Sequence, residues 1–192
     1  MYPGKLGKKY ADRPAFIMAS TGKEVTYAEF ECRANQLAHY LRSVGLKFKD
    51  HYAIFMENND RFLEANSAGE RAGLYYTCIN SYLTAGEVSY IINNSESQVL
   101  ITSLKMLPTV MEAEKSCPNL REILVVGAEK QSISEKILGY EETISKFPTY
   151  PIDDESLGTS ILYSSGTTGR PKGILRPLHF KNQINVYQCI IF

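Results

Sequence analysis

Short apolar runs alternate with segments of helical hydrophobic period along most of this chain, and the connections between them are short. Such a pattern restricts the fold. Strands separated by helices pair in parallel within one sheet, and the helices cover its faces. Residues 15–18, 52–56, 74–79, 99–102 and 123–126 read as strands. Ser20-Thr21-Gly22-Lys23 reads as a turn after the first of them. Thr26-Tyr27-Ala28-Glu29 has the spacing of a capping box, and Phe30, Ala34, Leu37, Ala38 and Leu41 follow at helical intervals. Gly45 is placed to end that helix. A second helix is predicted over 60–72, ending at Gly73. Thr84-Ala85-Gly86-Glu87 opens a third, with Val88, Ile91 and Ile92 on one face. Further helix is expected over 104–116, interrupted early by Pro108, and over 133–138. Residues 151–155 read as a connecting loop. The expectation is an α/β fold with a mostly parallel sheet and flanking helices.

The chain has 192 residues, enough for one domain with a sizeable core or for part of a larger one. Hydrophobic residues make up 44% and charged residues 22%, which excludes a disordered chain. Basic and acidic residues number 21 each, so the basic excess of a general nucleic-acid binder is missing and no nucleic acid is expected as a partner. Cys32, Cys78, Cys117 and Cys189 form no Cys-x-x-Cys pair, which argues against zinc and redox motifs and for reduced thiols in the cytosol. Residues 1–10 do not have the pattern of a secretory signal. No apolar run is long enough to span a bilayer, so membrane contact would be peripheral. The expected location is cytoplasmic.

The strand candidate at 159–163 runs directly into Ser164, Ser165, Gly166, Thr167, Thr168, Gly169, Arg170, Pro171, Lys172 and Gly173. Glycine lets backbone N–H groups approach an anion closely, and Ser and Thr add hydroxyl donors without bulk. Lys172 supplies a compact positive charge, and Arg170 is placed to supply another. The segment is not a Walker A loop, because Pro171 precedes Lys172 and Gly173 follows it. It is not the dinucleotide fingerprint either, since Gly-x-Gly-x-x-Gly is absent. A plain solvent-exposed turn is the alternative. Against it stand the apolar strand that feeds the segment and the single lysine fixed among small residues.

The run from Tyr163 to Gly173 resembles the signature loop of the adenylate-forming superfamily, which includes acyl-CoA synthetases, the adenylation domains of nonribosomal peptide synthetases and firefly luciferase. The likeness extends upstream through Arg13-Pro14-Ala15, Val25-Thr26-Tyr27-Ala28-Glu29-Phe30, Arg33-Ala34-Asn35-Gln36-Leu37-Ala38 and the stretch around Leu83-Thr84. It implies the amino-terminal portion of the large AMP-binding (adenylation) domain over 1–192, an incomplete fold. It also implies ATP, Mg2+ and coenzyme A as cofactors and a small carboxylic acid, a fatty acid, as substrate. Ser164 to Lys172 would hold the β- and γ-phosphates, and His179 would stand on the wall of the acyl site. The Thr-Glu motif, the ribose-binding aspartate, the hinge and the small carboxy-terminal domain with its adenylation lysine are not found in this sequence. The expectation is therefore a fragment that does not catalyse the reaction alone. A non-catalytic nucleotide- or pyrophosphate-binding module and an inert product of a truncated gene are the alternatives.

Other polar residues carry simpler readings. His39 and His51 lack metal spacing and read as structural, and no metal ligands are expected in the protein. Glu141-Glu142 and Asp153-Asp154-Glu155 read as solvated loop charges, and Tyr75-Tyr76 as core. Ser165 lies in Ser-Ser-Gly, not in the Gly-x-Ser-x-Gly of a hydrolase elbow.

Overall fold

A computed structural model describes residues 4–128, 134–164 and 171–178. Helix α1 (Gly4–Lys9) precedes a small antiparallel hairpin of β1 (Pro14–Ile17) and β2 (Glu24–Thr26). The main body is a seven-stranded sheet built from β3 (His51–Phe55), β4 (Tyr75–Cys78), β5 (Val99–Ser103), β6 (Glu122–Val126), β7 (Ile137–Gly139), β8 (Thr159–Ser164) and β9 (Lys172–Ile174). Its order is β7-β6-β5-β3-β4-β8-β9, and every pairing is parallel except β8 with β9. The helices are α2 (Tyr27–Ser43), α3 (Phe62–Arg71), α4 (Ala85–Asn94), α5 (Leu107–Ala113) and α6 (Tyr140–Ile144).

The central strands β3, β5 and β6 are largely apolar because both faces of the sheet are covered there. Side chains alternate between those faces. Ala53, Leu100, Ile123 and Ile137 align across four strands and pack with Val88, Ile91, Ile92 and Val110 of α4 and α5. Tyr52, Ile54, Ile101 and Leu124 pack on the opposite side with Leu37, Leu41, Ala65 and Ala68 of α2 and α3. After β3 the chain moves to β4, and after β5 it moves the other way to β6. This doubly wound order opens a crevice at the carboxyl ends of the strands, where such sheets take ligands.

The helix signals hold. Thr26 N–H donates to the Glu29 carboxylate at 2.9 Å, and Glu29 N–H returns to the Thr26 hydroxyl at 3.2 Å. Thr84 N–H makes the same 2.9 Å bond to Glu87. Gly45 and Gly73 follow α2 and α3 with φ of 91° and 63°, the left-handed backbone that closes a helix. Two expectations fail. Within the described residues, the helix predicted over 133–138 is absent: a bridge joins Ser134 to Ile137, and β7 begins at Ile137. Ile137 and Gly139 are buried and Leu138 only partly, a period of two, because Ile137 extends the row that ends at Ile123. Pro108 does not interrupt a helix. It sits in the first turn of α5, where its missing N–H has no partner to lose, and a short 3-10 turn (Glu114–Ser116) completes the segment.

Candidate functional site

Strand β8 crosses the sheet in two roles. Its first half pairs with β4, through Tyr75↔Thr159, Tyr76↔Ser160 and Thr77↔Ile161. Its second half pairs with β9, through Leu162↔Ile174, Tyr163↔Gly173 and Ser164↔Lys172. The chain therefore leaves the carboxyl edge of the sheet and returns antiparallel to itself. Ser164 and Lys172 face each other at the neck of this hairpin, and both are exposed. Directly opposed residues in a sheet project their side chains to the same side. A hydroxyl and an ammonium thus share one face where an anion can reach both. Ser165, Gly166, Thr167, Thr168, Gly169 and Arg170, and likewise His179, lie outside the described residues. Sequence reasoning placed Lys172 in a loop; it opens a strand instead.

The neck is held from below by α4. The Tyr90 hydroxyl donates to the Pro171 carbonyl at 3.1 Å. The Tyr163 hydroxyl donates to Asn94 Oδ1 at 2.8 Å. Burial and the nearby Tyr90 push the Tyr163 phenol up to about 12, so it remains a neutral donor at physiological pH. Neither Tyr90 nor Asn94 stood out in the sequence. The available signal was their spacing of one helical turn, off the Val88–Ile91–Ile92 face of α4.

A cavity of about 240 Å³ lies beneath the hairpin, lined by Cys78, Asn80, Leu83, Ile91, Tyr163 and Pro171. An adjoining cleft of about 500 Å³ shares Cys78 and Asn80 and adds Glu57, Asn58 and Tyr82. The cavity sits at the carboxyl ends of β4 and β8, and the cleft at those of β3 and β4. Glu57 accepts a 2.5 Å hydrogen bond from the Ser103 hydroxyl, which links the ends of β3 and β5. Cys78 donates to Asn66 Oδ1 at 3.2 Å, and burial raises its thiol to about 12. A further cavity of about 250 Å³ is lined by His51, Glu96, Tyr163 and Leu175. It reaches the amino end of β3, away from the crevice. Among the described residues no group of three or more His, Cys, Asp or Glu is gathered to hold a metal ion.

The remaining polar residues are structural. His39 Nε2 lies 2.9 Å from the Tyr150 carbonyl, and its ring meets the Tyr150 ring edge-on. His51 leans on Tyr75 with ring centres 4.9 Å apart. Tyr75 and Tyr76 are buried in the core. Glu141 and Glu142 lie in α6 and not in a loop; half-buried Glu141 meets Arg61 at 3.2 Å, and exposed Asp154 meets Arg42 at 3.0 Å.

This mostly parallel, doubly wound sheet with flanking helices matches the amino-terminal part of an adenylate-forming domain. The chain belongs to the AMP-binding enzyme family, whose model matches residues 5–189. It is 32% identical over 176 residues to the medium-chain-fatty-acid–CoA ligase of Ectopseudomonas oleovorans, covering 87% of this chain and 32% of that protein. It is 33% identical over 162 residues to the 3-oxocholest-4-en-26-oate–CoA ligase of Rhodococcus rhodochrous, covering 82% and 29%. Among solved structures it resembles the anthranilate CoA ligase AuaEII, in complex with anthranoyl-AMP, with a TM-score of 0.75 and 26% identity over 86% of this chain and 32% of that one. The chain thus spans about a third of the length of the relatives it matches. No helix among the described residues is long and apolar enough to cross a membrane.

Proposed function

We propose that this chain is the amino-terminal portion of an acid:CoA ligase domain and contributes its ATP-phosphate site. In the reaction, a carboxylate oxygen of the acid attacks the α-phosphorus of ATP. The bond from that phosphorus to the oxygen bridging to the β-phosphate breaks, and pyrophosphate leaves. The thiol of coenzyme A then attacks the acyl carbonyl and AMP departs. A fatty acid is the proposed substrate, in keeping with the relative that acts on medium-chain fatty acids. The protein would work in the cytoplasm, with any membrane contact peripheral.

The observation that carries this reading is the opposition of Ser164 and Lys172 at the neck of an exposed hairpin. A hydroxyl and an ammonium on one face suit phosphate oxygens, and they are in place before the pyrophosphate charge develops. Residues 165–170 would add backbone and hydroxyl donors around the β- and γ-phosphates. Mg2+, arriving with ATP, would neutralise charge on the same oxygens. His179 is proposed for the acyl-site wall, and the coenzyme A site is assigned to no residue here.

Two measurements test this. ATP titrated against the 192-residue chain should bind saturably, and Lys172→Ala should weaken binding roughly 10- to 150-fold, the equivalent of one charge-assisted hydrogen bond. Exchange of labelled pyrophosphate into ATP should be absent with this chain alone. Equal affinity in the Lys172→Ala variant overturns the phosphate site, and robust exchange overturns the dependence on further sequence.

A further inference from the structure

We infer that α4 is the brace that sets the geometry of the phosphate hairpin, with Tyr90 and Asn94 as its positioning residues. This deepens the proposed function and rests on that reading of the hairpin.

The two side chains are one helical turn apart and grip opposite strands of the hairpin. Tyr90 holds the Pro171 carbonyl on the returning strand, and Pro171 immediately precedes Lys172. Asn94 holds the Tyr163 hydroxyl on the outgoing strand, and Tyr163 immediately precedes Ser164. Each bond therefore lands one residue from a proposed phosphate contact. Among the described residues the last pair of the strand ladder is Ser164↔Lys172. Proline has no N–H, so the carbonyl is the backbone group through which Pro171 can be fixed. Tyr90 thus adds a hold on the hairpin one residue beyond that pair.

Gly173 makes the second grip possible. It lies opposite Tyr163, and a Cβ placed there would stand 2.9 Å from the ring carbon bearing the hydroxyl and 3.1 Å from the oxygen. A side chain at this position would displace the Tyr163 ring and carry its hydroxyl off Asn94. An anion site binds more tightly when the groups that contact it are already fixed, because less ordering accompanies binding.

The test uses the 192-residue chain and inorganic pyrophosphate as the probe, with amide hydrogen exchange at Gly173 and Ile174 read in parallel. Tyr90→Phe and Asn94→Ala each remove one grip and should weaken pyrophosphate binding about three- to tenfold. They should speed exchange at the two amides by a similar factor and leave the urea midpoint nearly unchanged. Tyr150→Phe, which removes an exposed phenol far from the hairpin, should change none of these. In a Lys172→Ala background the effect of Tyr90→Phe on binding should largely vanish, since both act through one site. Faster exchange with unchanged affinity makes α4 a structural neighbour only and overturns the inference. Unchanged exchange overturns the brace itself. Failure of the unaltered chain to bind pyrophosphate overturns the phosphate reading, while the exchange data still decide whether α4 holds the hairpin.

Discussion

Arg71 on α3 and Glu31 on α2 form a two-point ion pair, Nη1 to Oε1 at 2.9 Å and Nη2 to Oε2 at 2.8 Å, with the arginine side chain fully buried. Arg71 also donates to Asn35, so the guanidinium ties α3 to α2 at two residues. Removing the carboxylate leaves a buried cation short of its counter-charge, which costs roughly 3–5 kcal/mol. Glu31→Ala should lower the stability by that amount in urea unfolding. The double variant Glu31→Leu/Arg71→Met should be less destabilised than the sum of its parts, because it removes both charges together. The exposed Lys146–Glu142 pair is the comparison. If Glu31→Ala shifts the midpoint no more than Glu142→Ala does, the pair does not hold the two helices together.

A pH dependence should come from His51. Burial lowers the pKa of this imidazole, and the charges of Glu96 and Asp50 only partly offset the effect. The unfolded chain takes up its proton near 6.5, whereas the folded chain resists until a lower pH. His51 therefore contributes stability that is fully present above 6.5 and is lost as pH falls through the folded value. Urea midpoints recorded from about pH 7.5 to 5 should decline more steeply for the unaltered protein than for His51→Asn. Parallel declines would remove His51 as the cause.

The thiol of Cys78 should be slow to alkylate despite lining two cavities. With its pKa raised to about 12, only about one part in ten thousand is thiolate at pH 8. Iodoacetamide should modify Cys78 in the folded protein at least about a hundredfold more slowly than in urea, as read by peptide mass spectrometry. Comparable rates in the two states would mean that the crevice admits water and polarises the thiol.

The sheet was legible in the sequence because its central strands are buried on both faces and so appear as unbroken apolar runs, as at Tyr52-Ala53-Ile54-Phe55. The helices were legible through their ends: Thr26 with Glu29, Thr84 with Glu87, and the glycines at 45 and 73. Edge strands were not. Ile137–Gly139 and Lys172–Ile174 have three residues each, too few to show a period, and both are defined by a neighbour distant or opposed in the chain. Ile133 and Ile137, four residues apart, imitated a helix face. At the candidate site, Ser164 and Lys172 stood out through the composition of the run around them. The grip of Tyr90 and Asn94 did not, because it joins segments about 70 to 80 residues apart through single hydrogen bonds.

The entry of β8 into the sheet fixes where the hairpin stands, and Gly158 controls that entry. Its N–H donates to the Glu70 carbonyl at 2.7 Å, and a Cβ there would collide with the carbonyl oxygens of Gly69 and Leu74. These are backbone atoms at the end of α3 and the start of β4, so no side chain can rotate away. Gly158→Ala must push β8 off β4, at a cost of about 1–3 kcal/mol or more. Because Ser164 lies at the far end of β8, pyrophosphate affinity should fall along with stability. Gly86 is the contrast: it lies in the first turn of α4, and nothing stands within 4 Å of the place a methyl group would take. Gly86→Ala should leave binding unchanged and stabilise the fold by about 0.4–1 kcal/mol, through loss of freedom in the unfolded chain. Urea unfolding and pyrophosphate titration on both variants decide the matter. A neutral Gly158→Ala would show that β8 tolerates displacement from β4 without disturbing the hairpin.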